Sequence, residues 1–494
     1  MATPSPNLHL DALTPDIVWK HFRFLCDTPR PSGHEQAVQD GIVEWSELRG
    51  LSVERDAVGN VLVRKAATAG HEQAPGVVIQ AHVDMVAQAS VEHDFLRDPI
   101  HTEVREGWLH AQGTTLGADN GIGAAMALAI LEDDTLRHGP LEALFTIGEE
   151  VSMVGAVGLQ PEWLHGRFLI NLDAEEWGNV YIGCAGGVHM GVDHHFPVEA
   201  VPAQEAVIEV NVGGLIGGHS GLDIGEQRAS ATALLARVLL SLTEQEPALR
   251  ILSLEGGNMS NAINRSARAI LAVPPSGVAA LQQRITVNET TLKQELSQVE
   301  PELTCTSRPV EARHDGLSEA ASLTLIRALA ALPYGVERWS DEVPGVVETS
   351  NNIGQLRLSS GHLQLDAMVR SLCDSAALAL GGRIGAVLSL AGLSPVADKA
   401  YPGWTPAAHS SLLTHFQRSH ERVVGRPAEV CVIHAGLECG LIGAKYPDMD
   451  MIAFGPTIRG AHSPDERVEL ASVDACWQLL RDLVVSLGEA SSTV

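Results

Sequence analysis

The sequence predicts an α/β domain interrupted by a second, α+β unit, and three observations carry that prediction. Short apolar runs alternate with stretches of helical spacing, the pattern of strands joined by crossover helices. The run that opens Leu141–Gly158 (LEALFTIGEEVSMVGAVG) reads as a buried strand and ends in two adjacent carboxylates, Glu149 and Glu150. Other apolar runs and Gly-rich turns deliver His82 and Asp84 (QAHVDMV), Asp119 (GADNG), Asp173 (INLDAEE) and His462 (GAHSPDE). An α/β sheet gathers ligands at the carboxyl ends of its strands. His462 lies near the C-terminus and the others lie before residue 174, so the region between them is most simply an insertion.

In chain order, Thr14–Cys26 has helical spacing after a candidate Thr14 N-cap. Glu35–Leu48 repeats the helical pattern, and DAVGNVLVRK reads as a turn and strand. Gly76–Ala81 is a short buried strand with His82 at its end. Gly117–Leu131 (GADNGIGAAMALAIL) is a Gly-rich loop running into a small-residue helix suited to close packing on a sheet. Arg167–Leu172 is a strand leading to Asp173. Near GCAGG, at 183–187, the character changes to alternating strands such as AVIEVNV and a helix at Arg228–Leu242. This second unit spans 186–399, between a first part of the α/β domain at 1–185 and a second part at 400–494. Its length leaves room for two similar halves. Ala376–Leu393 reads as a helix end followed by a strand, broken at Gly381, Gly382 and Arg383. After YPGWTP come a helix at Ala407–Val424, strands in AEVCVIHAG and MDMIAFGP, and a helix at Ala471–Leu487.

Composition narrows the function. The chain has 494 residues, with 33 Lys plus Arg against 61 Asp plus Glu, a formal net charge of −28. Such a surface repels phosphate backbones and anionic lipid, which argues against nucleic-acid and membrane partners. The seven cysteines are scattered without a CxxC pair, which fits a reducing, cytoplasmic setting. The N-terminus shows no basic stretch followed by an apolar core of the signal-peptide kind.

Burying unpaired charge costs several kcal/mol, so something cationic must stand before Glu149 and Glu150. Taken singly, the motifs have plain alternatives: a solvated pair at Glu149–Glu150, a helix cap at Asp119, a loop residue at His462. Together, two histidines and three carboxylates suit two Zn²⁺ ions, with Mn²⁺ or Co²⁺ as substitutes. Asp84 shares a strand face with His82 and can hold its far nitrogen. One of the adjacent glutamates can ligate while the other takes a proton.

The motifs PRPSGHE, QAHVDMV, GTTLGADNGIGAA, TIGEEVSMVGA, NLDAEEWG, GGHSG, GGNMSNAINR, VETSNNIG, AMVRS, YPGWTP, HAGLECG and GAHSPDERV resemble the di-zinc metallopeptidases, the family of carboxypeptidase G, aminoacylase and the bacterial dipeptidases. Within it, the chain is most similar to the branch that cleaves dipeptides ending in histidine. The resemblance implies a catalytic domain of mixed sheet flanked by helices, with an inserted α+β lid. It implies that Asp119 bridges two Zn²⁺, that His82 and Asp173 complete one site, and that Glu150 and His462 complete the other. Asp173 groups the chain with the aminopeptidase-like members. Glu149 becomes the general base, and Asp84 the residue that orients His82. The Asp119–Asn120 peptide is expected cis. In the lid, His219 (GGHSG) would bind the oxyanion, while Asn261, Arg370 and Gly436 would hold the substrate. Without the resemblance, GGHSG reads as a turn and Arg370 as a surface ion pair. Asn264 stands where relatives outside the dipeptidases often carry Pro. The implied activity is hydrolysis of dipeptides, favouring Xaa-His and tolerant at the first residue, by metal-activated water. The implied partners are the dipeptide and, through the lid, a second copy in a homodimer. The alternative is a related di-metal N-acyl amino acid deacylase.

Overall fold

Val77–His82, Leu141–Thr146 and Phe168–Asn171 are buried at every position, as strands are inside a sheet covered on both faces. The computed structural model describes residues 5–311, 315–341, 343–398, 400–407 and 410–489. It places these three side by side and parallel, with Asp450–Ala453 beside Phe168–Asn171. They form the middle of an eight-stranded sheet: Ser52–Arg55, Val61–Lys65, Leu141–Thr146, Val77–His82, Phe168–Asn171, Asp450–Ala453, Asn179–Cys184, Glu429–Ile433. Antiparallel strands flank the parallel centre, so the sheet is mixed. All parallel carboxyl ends open on one edge.

The helix Ala118–Glu132 is buried from Asn120 to Leu131. Its small residues let it lie close to the sheet, and a Cβ at Gly123 would stand 2.7 Å from the Leu172 carbonyl oxygen. Its core also takes Trp19 and Phe22 from the helix Asp16–Asp27, and Trp477 and Leu480 from the helix Leu470–Gly488. The chain divides into two units. The first is Met1–Gly183, Pro406–Val432 and Leu437–Val494; the second is Cys184–Thr405 with Ile433–Gly436.

The second unit is built on a nine-stranded sheet whose main path holds two matching halves. One half runs Ala206–Gly213, helix Ala231–Thr243, Arg250–Asn258, Ala267–Val273, helix Val278–Glu295, Thr304–Pro309. The other runs Gly186–His195, helix Glu319–Ala331, Val347–Ser359, His362–Ser371, helix Asp374–Leu390, Val396–Ala397, with the first half inserted after its first strand. Both are β-α-β-β-α-β units. Their sheets meet where Arg250–Asn258 pairs antiparallel with Val347–Ser359, and strand order mirrors about that seam. Gly335–Trp339 adds to Val347–Ser359 off the main path.

Several expectations are corrected. The first helix starts at Asp16 with Pro15 at its cap, reached through a cis Thr14–Pro15 bond, so Thr14 does not cap it. Ala376–Leu393 is not a helix end plus a strand, because one helix runs Asp374–Leu390. Gly381 faces Val188 and Met190, where a Cβ would come to 3.3 Å of Val188 Cγ1, while Arg383 on the outer side forks onto Glu337. The glycines let the helix approach the sheet rather than end it. The compact units divide at 183/184 and 405/406, beside the boundaries expected at 185/186 and 399/400. Tyr401 and Trp404 bridge to Gly187 and Cys184, which draws YPGWT into the second unit. The helix expected at Ala407–Val424 starts at Ser411, with the Ser410 hydroxyl as its cap; residues 408–409 lie outside the described residues. No helix among the described residues is long and apolar enough to cross a membrane.

Candidate metal centre

His82 is the last residue of its strand and is buried. Its Nε2 lies 3.1 Å from Asp119 Oδ1 and 3.5 Å from Asp173 Oδ1, and its Nδ1 lies 3.3 Å from Asp84 Oδ1. The other oxygen of Asp119 faces a different imidazole, with His462 Nε2 3.2 Å from Oδ2. His462 Nε2 is also 2.9 Å from Glu150 Oε2. One carboxylate is thus shared between two imidazoles, with Asp173 on one side and Glu150 on the other. Glu149 and Glu150 open the short helix Glu149–Ser152, just past the strand Leu141–Thr146.

The carboxylates Asp84, Asp119, Glu149, Glu150 and Asp173 outnumber the two imidazoles, which leaves the cluster negative even with both rings protonated. Hydrogen bonding to Asp119 and Glu150 pushes His462 up to about 11, and His82 is raised well above its ordinary value by Asp173, Asp119 and Asp84 against the opposing effect of burial. Glu149 is held well above the usual carboxylate range, first by burial and then by Asp173, Glu438 and Asp119, against the pull of His82. Glu150 Oε1 is buried without a hydrogen-bond partner among the described residues. Donor atoms of His82, Asp119 and Asp173 lie within 4.8 Å of one another, as do those of Asp119, Glu150 and His462. Nitrogen and carboxylate donors in two such groups, sharing Asp119, fit two divalent transition-metal ions. Glu149 is within the same reach of His82 and Glu150.

Three of the residues that hold this arrangement, Glu466, Arg30 and Glu438, were not singled out from the sequence. Glu466 is buried, and its carboxylate accepts the backbone N–H groups of Leu116, Gly117, Ala118 and Asp119 at 2.7, 2.9, 2.8 and 3.2 Å. Arg30, also buried, donates to the carbonyls of Gly117 (2.6 Å), Val83 (3.1 Å) and Asp84 (3.2 Å). Together they fix the backbone that leads into Asp119 and the segment that follows His82. The Asp119–Asn120 peptide is cis, and Asn120 Nδ2 donates to the Leu172 carbonyl and to Asp173. Asp84 accepts from Ser32 Oγ (2.8 Å) and from the N–H groups of Glu149 (3.1 Å) and Glu150 (3.3 Å). Burial works against its charge, yet these bonds and His82 keep its carboxyl down at about 2. Glu438 is fully buried, accepts from Gln80 (2.6 Å) and Thr146 (2.7 Å), and is pushed up to about 7 by burial. His462 has φ +62°, a left-handed conformation uncommon for a residue with a Cβ.

In the second unit, Gly218–His219 pairs with Ala262–Ile263, and Ser220 N–H donates to the Asn261 carbonyl. His219 Nδ1 accepts from the N–H groups of Gly221 (3.2 Å) and Leu222 (3.1 Å), so GGHSG is both a turn and a setting that fixes the ring. Arg370 is buried, so it is no surface ion pair; it donates to Tyr401 Oη at 3.2 Å, and its Nε has no partner among the described residues. Across the strand pair from Arg370 stands Ser350, whose hydroxyl is 2.8 Å from His434 Nε2. His434, two residues before Gly436, is another residue the sequence reading passed over. Asn264 is buried and donates to Thr232 Oγ1 and the Ile353 carbonyl, both at 2.8 Å, which ties the two halves together.

The model of peptidase family M20/M25/M40 matches residues 78–486. The chain belongs to that family. Among family relatives, the chain is 43% identical over 477 residues to the cytosol non-specific dipeptidase of Escherichia coli, covering 96% of this chain and 98% of that one. The crystal structure of aminoacylhistidine dipeptidase from Vibrio alginolyticus superposes with a TM-score of 0.90 at 41% identity, covering 96% and 97% of the two chains. A tripeptidase from Staphylococcus aureus shares the fold at 15% identity, with a TM-score of 0.60 over 97% of this chain and 100% of that one. This M20 peptidase thus has the mixed-sheet fold expected of it.

Proposed function

We propose that this M20 peptidase is a dipeptidase that favours Xaa-His and tolerates many residues at the first position. The observation that carries the reading is the carboxylate of Asp119, shared between His82 and His462, in a chain alike over its length to two dipeptidases. In this reading His82, Asp119 and Asp173 would hold one Zn²⁺ ion and Asp119, Glu150 and His462 a second, with Mn²⁺ or Co²⁺ able to substitute. When bound, the ions would acidify a shared water and polarise the scissile carbonyl.

The chain's own residues supply the rest. Glu149, its proton affinity raised by burial, accepts the proton of the attacking water and passes it to the leaving amine. Asp84 fixes the ring of His82 through Nδ1. His219 accepts at Nδ1, which puts its proton on Nε2, and burial and Arg370 lower its proton affinity, which favours the neutral ring. A neutral imidazole with an unused N–H is suited to an oxyanion. Arg370 takes the substrate's C-terminal carboxylate, with Asn261 and Gly436 holding its backbone. Sedimentation tests the homodimer expected through the lid. No disulfide joins cysteines among the described residues, in keeping with a cytoplasmic location.

The deciding assay compares Ala-His, other dipeptides and N-acetyl amino acids on protein reconstituted with Zn²⁺, Mn²⁺ or Co²⁺. Turnover of Ala-His well above that of the N-acetyl compounds is expected. The reverse order would make the chain a deacylase.

A further inference from the structure

The second unit carries a group of metal-binding side chains that peptide hydrolysis does not use. Strands Gly186–His195 and His362–Ser371 pair antiparallel, with His195 opposite His362 and Asp193 opposite Gln364. Residues two apart on a strand share a face, and directly opposed residues lie close enough for their side chains to meet. Asp193, His195 and His362 therefore project from one face. It is the solvent face: Asp193 and His195 are exposed, whereas Val192 and Leu363 on the other face are buried.

The imidazoles of His195 and His362 stack with centroids 4.2 Å apart and 10° between their planes. His362 Nε2 lies 2.9 Å from Asp193 Oδ1. Gln364 Nε2 reaches the other Asp193 oxygen at 3.5 Å. Among the described residues, the ring nitrogens of His195 make no hydrogen bond, so one imidazole stands beside the ion pair with its donors free. One donor atom from each of Asp193, His195 and His362 falls within 4.8 Å of the other two. Around an ion with bonds of about 2.0–2.2 Å, donors stand up to about 4 Å apart, so small side-chain rotations close the group. A solvated His–Asp pair with a stacked neighbour would account for the contacts, but not for three convergent donors on a face with room for a fourth ligand.

We propose that Asp193, His195 and His362 bind one divalent transition-metal ion, of the Zn²⁺ or Cu²⁺ class, in addition to any held at the carboxylate centre. Two imidazoles and a carboxylate favour such ions over Mg²⁺ or Ca²⁺, which take oxygen donors. The ion clamps the end of the His195–His362 strand pair, with solvent completing its coordination, so it exchanges readily. Arg370 lies eight residues further along the same strand, roughly 26 Å away at the usual rise. Occupancy of the site is therefore independent of substrate binding.

The test loads full-length protein with Zn²⁺ and titrates it with Cu²⁺, measuring bound copper, released zinc and the copper paramagnetic resonance spectrum. Wild type is compared with a His195→Ala/His362→Ala variant. The expected result is one more equivalent of Cu²⁺ bound by wild type at equal zinc content, with imidazole nitrogen couplings that the variant lacks. Ala-His turnover should be the same in both. Equal copper uptake by the two proteins overturns the proposal. If the double variant fails to fold, His195→Ala alone removes a solvent-exposed ring without hydrogen bonds, and the same comparison applies.

Discussion

Around Asp119, five carboxylates face two imidazoles; around Arg370, a guanidinium stands near the imidazoles of His219 and His434, and among the described residues no carboxylate pairs with it. The same side chain titrates in opposite directions in the two places. His462, hydrogen-bonded to Asp119 and Glu150, is pushed up to about 11. His434, buried and close to Arg370, is pushed down to about 3. A cluster that raises its histidines is short of positive charge and suits cations. One that lowers them has positive charge to spare and suits an anion, such as a peptide carboxylate or an oxyanion.

The broadest way to break this contrast is to withhold the cations. Exhaustive dialysis against chelator should abolish turnover, and Zn²⁺, Mn²⁺ or Co²⁺ should restore it. Full activity in protein confirmed metal-free by elemental analysis would remove the basis of the mechanism. Glu149→Ala sharpens the same region: about 10²–10⁴-fold loss of kcat is expected for a proton-transfer residue, with both metals retained. Asp119→Ala should instead lose metal. If Glu149→Ala loses metal as Asp119→Ala does, Glu149 is a ligand and not the base.

On the cationic side, Arg370→Ala should lower kcat/KM for Ala-His by about 10²-fold, the scale of a lost charged hydrogen bond. Arg370→Lys should recover part of this, because an ammonium lacks the planar fork. The C-terminal amide of Ala-His should be a poor substrate for wild type and indifferent to the substitution. Equal wild-type rates on acid and amide would show that the carboxylate is not read.

A smaller effect is expected from Glu466→Gln, which keeps the shape but replaces one acceptor oxygen by a donor facing backbone N–H groups. Metal affinity measured by calorimetry should fall about 10–100-fold, as for other groups that support ligands. Unchanged affinity would mean that the loop holds Asp119 without it.

The smallest expected effect is on stability in mild acid. With the unfolded value near 6.5 and the folded value at about 3, His434 binds protons more readily in the unfolded chain. Its contribution to stability is present above pH 6.5 and is lost as pH falls toward 3, by about 2 kcal/mol at pH about 5. Thermal melts of His434→Gln should fall less steeply than wild type between neutral pH and pH about 5. Parallel curves would show that His434 is not the group responsible.

Much of the first unit was legible because its signals are local. Apolar runs of strand length with His or Asp at their ends mark Val77–His82 and Phe168–Asn171 whatever the rest of the chain does. At one pair of glycines the reading failed. Gly381 and Gly382 looked like a break, but helix Asp374–Leu390 runs through them because Gly381 meets Val188 on a strand almost two hundred positions earlier. Thr14 looked like a cap by residue type, and a cis-proline took its place.

By itself, the sequence determined which residue types stand at the ends of the strands, that negative charge collects there, and that the second unit interrupts the first. Only the tertiary structure decided that Asp119 offers its two oxygens to two histidines, one of them 343 positions away. It also decided that Glu466 binds four backbone N–H groups some 350 positions earlier, and that the second unit is two matching halves, one nested in the other. The physical reason is the range of the information. Hydrophobic period and turn chemistry are set by neighbours a few residues apart, whereas a buried acid whose partners are backbone groups leaves no pattern in the sequence around it. Its partners exist only once the chain has brought them together.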